Sequence, residues 1–334
     1  AEQLAQRAVE IVDRELTDDA QLRVETRYHI AAALAEKDGQ ERAAIAQYTA
    51  AMDEARRLGL EGSLIWLYIL NDRAMTHMEV GESAEALMLM SDAVAGLHTL
   101  MGDEVLPSWG VGYNNLAFAQ FLEGDLEGAA ASYDRALLGC ETFPEQNALT
   151  ASSVLNNYAN VRAMQGDLDA AIAMHDRALV ISRPLLERGG GEEDFGLSAS
   201  GLAVQQCRMG NPDLGRSALG EVETHLAGSL GDPITWIYYY ARSACALAAG
   251  DTPAAVEAAR QAIEVGARAR RTVDAVSRQQ AALARAMIAD GRADEASTSA
   301  QSAVAAYVQW LGDDHPVTRR VRAELSAALG SGAP

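Results

Sequence analysis

The chain has 334 residues, 49% of them hydrophobic, and a net charge of −20 from 27 basic and 47 acidic side chains. Such an excess of negative charge repels phosphate backbones and anionic membrane surfaces, so direct binding to nucleic acid or to a membrane is not expected. The apolar runs are shorter than the roughly 20 residues of a membrane helix. Three cysteines without paired spacing indicate neither a zinc site nor a disulfide framework, and they fit a reducing, cytoplasmic location.

The predicted elements begin with one amphipathic helix, Ala1–Leu16, which makes residues 1–21 a capping helix or a partial repeat. Beyond it, seven glycines recur 40 to 44 residues apart, each within a similar segment. These glycines are Gly39, Gly81, Gly124, Gly166, Gly210, Gly250 and Gly291. A constant period of this length predicts a solenoid, in which each repeat contacts mainly its neighbours.

The period divides residues 22–310 into seven repeats, followed at 311–334 by a linker and a second capping helix. The repeat boundaries are predicted at residues 22–62, 63–104, 105–146, 147–190, 191–232, 233–271 and 272–310. Sixteen helices are therefore expected, two from each of seven repeats and one at each end.

Small residues fill three columns of the aligned repeats: seven before the glycine, five after it and twelve after it. The column five after the glycine contains Ala44, Ala86, Ala129, Ala171, Gly215, Ala255 and Ala296. Three such columns in one frame indicate two helices that cross too closely for larger side chains. Each repeat is therefore predicted to be a helical hairpin. The glycine supplies its left-handed turn, and Asp125, Asp167, Asn211 and Asp251 are expected to cap the second helices.

This arrangement of small, bulky and glycine positions resembles the tetratricopeptide repeat. The runs YNNLAFAQFLEGD and LNNYANVRAMQGD, which end at Asp125 and Asp167, are most similar to the kinesin light chain type, as is the linker LGDDHPVT that begins at Leu311. The resemblance implies an all-α fold: a right-handed superhelical solenoid of about seven hairpins with capping helices at both ends.

Motifs of catalysis are absent from the sequence: it has no phosphate-binding glycine loop, HExxH motif, nucleophile elbow or dinucleotide fingerprint. The six histidines lie apart, and none has a His or Cys partner at metal-ligand spacing. We therefore expect no catalytic site, no metal site and no cofactor.

Binding is the expected activity, on the side of each first helix that is opposite to the small column. In tetratricopeptide repeats this side lines the concave groove, at the positions thirteen, nine, six and two before the glycine. An asparagine amide both donates and accepts, so it can pair with the backbone of an extended peptide, or instead with the next repeat. The candidate partner-binding residues are Tyr68, Asn71, Asp72, Val111, Asn114, Asn115, Phe118, Asn157, Asn160, Arg278 and Arg285.

The leading functional hypothesis is a non-enzymatic scaffold that binds a peptide or protein segment in this groove. A second hypothesis is the sensing domain of a larger bacterial regulator, a signalling ATPase or a transcription factor. A third, remote one is an enzyme with a pocket inside the solenoid. Self-association through capping helices is also open, whereas the identity of the partner cannot be inferred from the sequence.

Overall fold

The computed structural model describes residues 7, 10, 11, 14, 20–102, 104–230, 232, 235–268 and 273–330. Over these residues the chain forms fifteen α-helices and one 3-10 turn, Ala227–Ser229, without any strand. None of the described helices is both long and apolar enough to cross a membrane. Sixteen helices were expected, and the one predicted at Ala1–Leu16 falls almost entirely outside the described residues.

The first fourteen helices form seven hairpins, because each odd-numbered helix among them packs against the even-numbered helix that follows it. The last helix, α15, packs against α14 and α13. Their bounds are α1 Ala20–Ala35, α2 Glu41–Arg57, α3 Leu64–Glu79, α4 Ser83–Met101, α5 Trp109–Leu122, α6 Leu126–Thr142, α7 Pro144–Gln165, α8 Leu168–Glu187, α9 Glu192–Arg208, α10 Pro212–Leu226, α11 Trp236–Ala248, α12 Thr252–Gly266, α13 Val273–Ala289, α14 Ala293–Leu311 and α15 Pro316–Gly330. The all-α class and the pairing of helices predicted from the sequence are confirmed.

The hairpins are grouped in two compact units, which divide between Thr142 and Phe143. The first unit contains α1–α6 and the second contains α7–α15. The sequence predicted repeats without a break here. The division falls where Phe143 precedes Pro144: a residue before proline is disfavoured in the helical conformation, and Phe143 adopts φ −128° and ψ 62°. One helix therefore ends, and the proline begins the next.

The small columns lie where helices cross closely. All seven residues five after the loop glycine are buried, from Ala44 to Ala296. The seven loop glycines have φ between 75° and 91°, the left-handed region that favours glycine. Asp125, Asp167 and Asp251 accept hydrogen bonds from backbone N–H groups three residues later, as N-caps do. Asn211 does not cap its helix; its amide donates to Gln206 instead.

One expectation about the cysteines was wrong. Cys207 on α9 and Cys245 on α11 form a disulfide, with their Cα atoms 5.0 Å apart. The two residues are 38 positions apart, close to one repeat, so corresponding parts of neighbouring first helices meet. Gly215 is the exception in its alanine column because a Cβ there would lie 2.1 Å from the Cys207 Sγ and 2.7 Å from the Cys245 Sγ. The cysteine spacing therefore gives no support for a reducing compartment.

Candidate functional site

A cavity of about 650 Å³ opens among the helices of the second unit. Its walls come mainly from α7, α9, α11 and α13, the first helices of four successive hairpins, and from α15. The lining includes residues thirteen, nine, six and two before the loop glycines, such as Ile237, Gly201, Ala244 and Arg208. In the second unit, the side of the helices that the sequence predicted for binding is therefore the side that faces a cavity.

Charge distinguishes this cavity from the rest of an acidic chain. Among the described residues its charged lining comprises four arginines, Arg208, Arg278, Arg285 and Arg320, and one carboxylate, Glu324. Neutral walls are added by side chains such as Asn160, Tyr240 and Val204. A cleft lined by one sign of charge focuses the electrostatic field and attracts ions of the opposite sign. The cavity thus has the electrostatics of an anion-binding site.

Glu324 on α15 makes the one carboxylate contact within this cavity. The Arg285 Nε donates to Oε1 at 2.6 Å and Nη2 donates to Oε2 at 3.0 Å, a bidentate pair. Burial alone would raise the pKa of Glu324, but the hydrogen bonds and charge of Arg285 lower it overall. Arg320 and Arg208 lower this pKa further through their charges. Glu324 is therefore a carboxylate held among three arginines.

The other three arginines have no carboxylate partner within ion-pair distance in the described part of the chain. Arg208 donates to the amide oxygen of Gln205, Arg320 donates to the backbone carbonyl of Met164 at 2.7 Å, and Arg278 lies over the Trp310 ring. Desolvation lowers the pKa of Arg208, and the charges of Arg320 and Arg285 add to this effect. Like charges held in one cavity repel one another, and an anion there would relieve that repulsion.

The asparagines of α7 have different surroundings. Asn160 lines the cavity, and its amide donates to the backbone carbonyl of Asn156. Asn157 is half-buried. Asn156 is buried, and its Oδ1 lies 3.1 Å from the Nδ1 of His175, which is also buried. Desolvation by burial lowers the pKa of His175 to about 4, so this histidine is neutral at pH 7.

In the first unit the polar candidates bond to one another across hairpins. The Asn114 amide donates to Asn115, Asn115 donates to Asn71, and Asn71 donates to Asp72 over distances of 2.9–3.1 Å. The second oxygen of Asp72 accepts from the Tyr28 hydroxyl at 2.7 Å. We call these five residues the amide ladder; it joins α1, α3 and α5. The sequence left open whether the paired asparagines bind a partner or connect repeats, and in this unit they connect repeats.

Apolar candidates in the first unit lie beside this ladder. Tyr68 and Val111 are exposed and, together with Asn71, line a small cleft of about 130 Å³ next to α4. Phe118 stacks on Phe121, with ring centroids 6.2 Å apart. This cleft is mostly apolar and is much smaller than the cavity of the second unit.

The candidates are thus brought together in two separate groups, Asn160 with Arg278 and Arg285, and Tyr68 with Asn71 and Val111. The sequence analysis missed Arg320 and Glu324. Both lie on α15, which was considered only as a cap, and their position on a short segment rich in arginine was the available signal. Over the described residues, no three His, Cys, Asp or Glu side chains are close enough to hold a metal ion.

Comparisons with known proteins identify the repeat. Residues 111–186 match the tetratricopeptide repeat family model. The comparison with curated proteins gave no significant match.

Several solved structures share the fold. The Rap protein complexed with competence and sporulation factor has a TM-score of 0.61 at 15% identity, over 92% of this chain and 87% of that chain. BtubC (BKLC) from P. vanneervenii has a TM-score of 0.59 at 23% identity, over 69% and 91%. The Rap conjugation gene regulator of plasmid pLS20, in complex with the Phr* peptide, has a TM-score of 0.55 at 13% identity, over 99% and 96%. The kinesin light chain subtype stays a prediction. The chain therefore contains tetratricopeptide repeats and has the fold of proteins built from them.

Proposed function

We propose that this chain is a non-enzymatic scaffold that binds a peptide or protein segment in the cavity of its second unit. The observation that carries the proposal is the cavity itself: about 650 Å³, open, and lined by both apolar and polar side chains. Ligand sites in proteins commonly have such a volume and such a mixed lining. Asn160 on α7 offers an amide, and Tyr240 and Ile237 on α11 offer a phenol and an apolar surface.

Two further observations support peptide binding. Four successive first helices contribute to the walls, so an extended segment can contact several repeats at once. One of the solved structures with this fold is a regulator in complex with a peptide, although a likeness at 13% identity concerns the fold alone. The first unit is a poorer candidate, because its asparagines already bond to one another in the amide ladder.

A second candidate function is the sensing part of a regulator, located in the cytoplasm. The same conjugation gene regulator favours it, since it combines this fold with a bound peptide. In that case, binding in the cavity of this chain would control a second activity. A change in that activity caused by the peptide would distinguish a sensor from a scaffold.

The test is selection of a random peptide library on the intact 334-residue chain, followed by fluorescence anisotropy of the enriched peptides. Ala244 lines the cavity, so Ala244→Trp is expected to fill part of it and to weaken binding by roughly tenfold or more. Ala323→Trp on α15 is the matched control, because Ala323 is exposed and does not line the cavity. Circular dichroism checks that both variants fold.

Failure of the selection to enrich any peptide would contradict the proposal, as would unchanged binding by a folded Ala244→Trp variant. If that variant does not fold, Asn160→Ala replaces it. Asn160 also lines the cavity, and among the described residues its side chain has one hydrogen bond, to a carbonyl of its own helix.

A further inference from the structure

The four arginines of the cavity suggest which peptides it binds. We propose that the cavity of the second unit recognises acidic peptides, and that Glu324 is paired with Arg285 until a carboxylate of the peptide takes its place. This inference rests on the proposed function, since it names the chemistry of the ligand at the same site.

Charge complementarity is the first argument. Four arginines and one glutamate leave an excess of three positive charges in the cavity, whereas the chain as a whole carries −20. Arginines in an acidic protein usually pair with the many carboxylates around them. Arg208, Arg278 and Arg320 instead donate to an amide oxygen, lie over an aromatic ring and donate to a backbone carbonyl. Their charges are thus left for a ligand.

Geometry supplies the second argument. Glu324 approaches Arg285 with both carboxylate oxygens, at 2.6 Å and 3.0 Å, the bidentate arrangement in which guanidinium groups bind carboxylates. This contact shows that a carboxylate fits within the cavity, because one from α15 is already there. An Asp or Glu side chain of a peptide, or its C-terminal carboxylate, would make the same contact.

Exposure makes an exchange of carboxylates feasible. The Glu324 side chain is 48% exposed and that of Arg285 is 31% exposed, so their ion pair is not sealed in the core. Because water reaches both groups, separating them leaves neither charge without solvation. A peptide with more than one carboxylate could bond to Arg208, Arg278 or Arg320 in addition to Arg285, whereas Glu324 bonds to Arg285, and such a peptide would therefore compete with Glu324.

The experiment selects random peptides that bind to the intact chain. One library has a free C-terminal carboxylate and the other has a C-terminal amide. We expect enrichment of Asp and Glu in both libraries if side chains are recognised. If the terminal carboxylate is recognised, we expect peptides to be enriched from the free-acid library alone, with or without Asp and Glu. Synthetic copies of the enriched peptides are then titrated against variants of the chain. Their affinity should fall as the salt concentration rises, because charges carry the binding.

Two variants, each with a matched control, test the residues. Arg208→Gln combined with Arg278→Gln should weaken the acidic peptides by roughly tenfold or more, since each removes a charge-assisted contact. Arg319→Gln is the matched control: it lies on α15 beside Arg320, is exposed and does not line the cavity. Glu324→Gln should strengthen binding by about threefold to tenfold, because it frees Arg285. Its control is Glu264→Gln, which breaks an exposed ion pair with Arg268 outside the cavity.

The outcomes separate this inference from the function on which it rests. Peptides enriched from the amide library without an excess of Asp and Glu, or peptides insensitive to the arginine substitutions, would overturn the preference for carboxylates while leaving peptide binding in place. Unchanged or weaker binding by Glu324→Gln would overturn the role of Glu324 as a competitor. No enriched peptide from either library would overturn both proposals.

Discussion

The two units differ in one column of the repeat, nine positions before the loop glycine. In the first unit its polar members, Asp72 and Asn115, reach the neighbouring hairpins and take part in the amide ladder, and its third member is Ile30. In the second unit the column begins with Asn157 and continues with the small residues Gly201, Ala241 and Ala282. Gly201 and Ala282 line the cavity. Paired polar side chains therefore join first helices in the first unit, whereas two small residues of the same column border an open cavity in the second.

The second unit also has a covalent bond between two of its first helices. Cys207 and Cys245 join α9 to α11, two of the helices that form the cavity walls. In the first unit the corresponding connection between first helices is the hydrogen bond that the Asn115 amide donates to Asn71. Four substitutions or conditions would test this difference.

Removal of the disulfide should have the largest effect. A link that closes a loop of 38 residues restricts the unfolded chain, so Cys207→Ala with Cys245→Ala should lower the free energy of unfolding by about 4 kcal/mol. Urea unfolding with and without a reductant measures this change in the free energy of unfolding. The wild-type chain should lose stability on reduction and the double variant should not. Equal sensitivity of both proteins to the reductant would argue against the bond.

Acidification should destabilise the second unit through His175. Its folded pKa, lowered to about 4 by burial, is below the ordinary value, so the unfolded state binds a proton first as the pH falls. Stability is therefore complete above about pH 6.5 and decreases toward pH 4, by about 2 kcal/mol at pH 5 and about 3 kcal/mol at pH 4. Unfolding of His175→Gln should lack this part of the pH dependence. Parallel pH profiles for the two proteins would contradict the assignment.

A methyl group at Gly201 should reveal how closely α9 packs against His175. A Cβ there would lie 2.3 Å from the imidazole Cε1, and His175 is buried, so Gly201→Ala should cost about 1–3 kcal/mol. Gly220→Ala on α10 is the matched control because no atom lies within 4 Å of its added Cβ; it should gain up to about 1 kcal/mol. Thermal unfolding of both variants measures these changes in stability, and a stabilised Gly201→Ala variant would refute the close contact with His175.

Asn115→Ala should break the amide ladder of the first unit. Asn115 is 8% exposed and bonds to both Asn71 and Asn114, so its loss should cost about 1–2 kcal/mol. Asn160→Ala, at the open cavity of the second unit, should cost about 0.5 kcal/mol or less. Chemical unfolding measures both. Equal costs would mean that the two units treat their asparagines alike.

Much of the fold was predictable because it depends on local sterics that recur with the repeat. The loop glycines, the alanine columns and three of the four caps each follow from the conformation or size of one residue. The division after Thr142 was not predicted, although the proline that follows Phe143 was visible. Periodicity reports what repeats have in common and does not show where their succession is interrupted.

The site was harder to predict than the fold. Arg278, Arg285 and Asn160 line the cavity, and helical spacing alone was enough to place them on one side of their helices. Whether Asn115 faces a ligand or a neighbouring repeat depends on which side chain lies opposite, and that is decided by tertiary packing. Arg320 and Glu324 lie on α15, outside the repeat alignment, so no column of the alignment could indicate that they enter the cavity.

The position of α15 has a consequence for dynamics. Val317, Val321 and Leu325 are buried, so this helix is held by apolar contacts, while Arg320 and Glu324 on the same helix line the cavity. Any ligand that contacts these two side chains must also slow the opening of α15, since binding to the folded form stabilises it. Amide hydrogen exchange along Pro316–Gly330 would therefore report occupancy of the cavity without a label on the ligand.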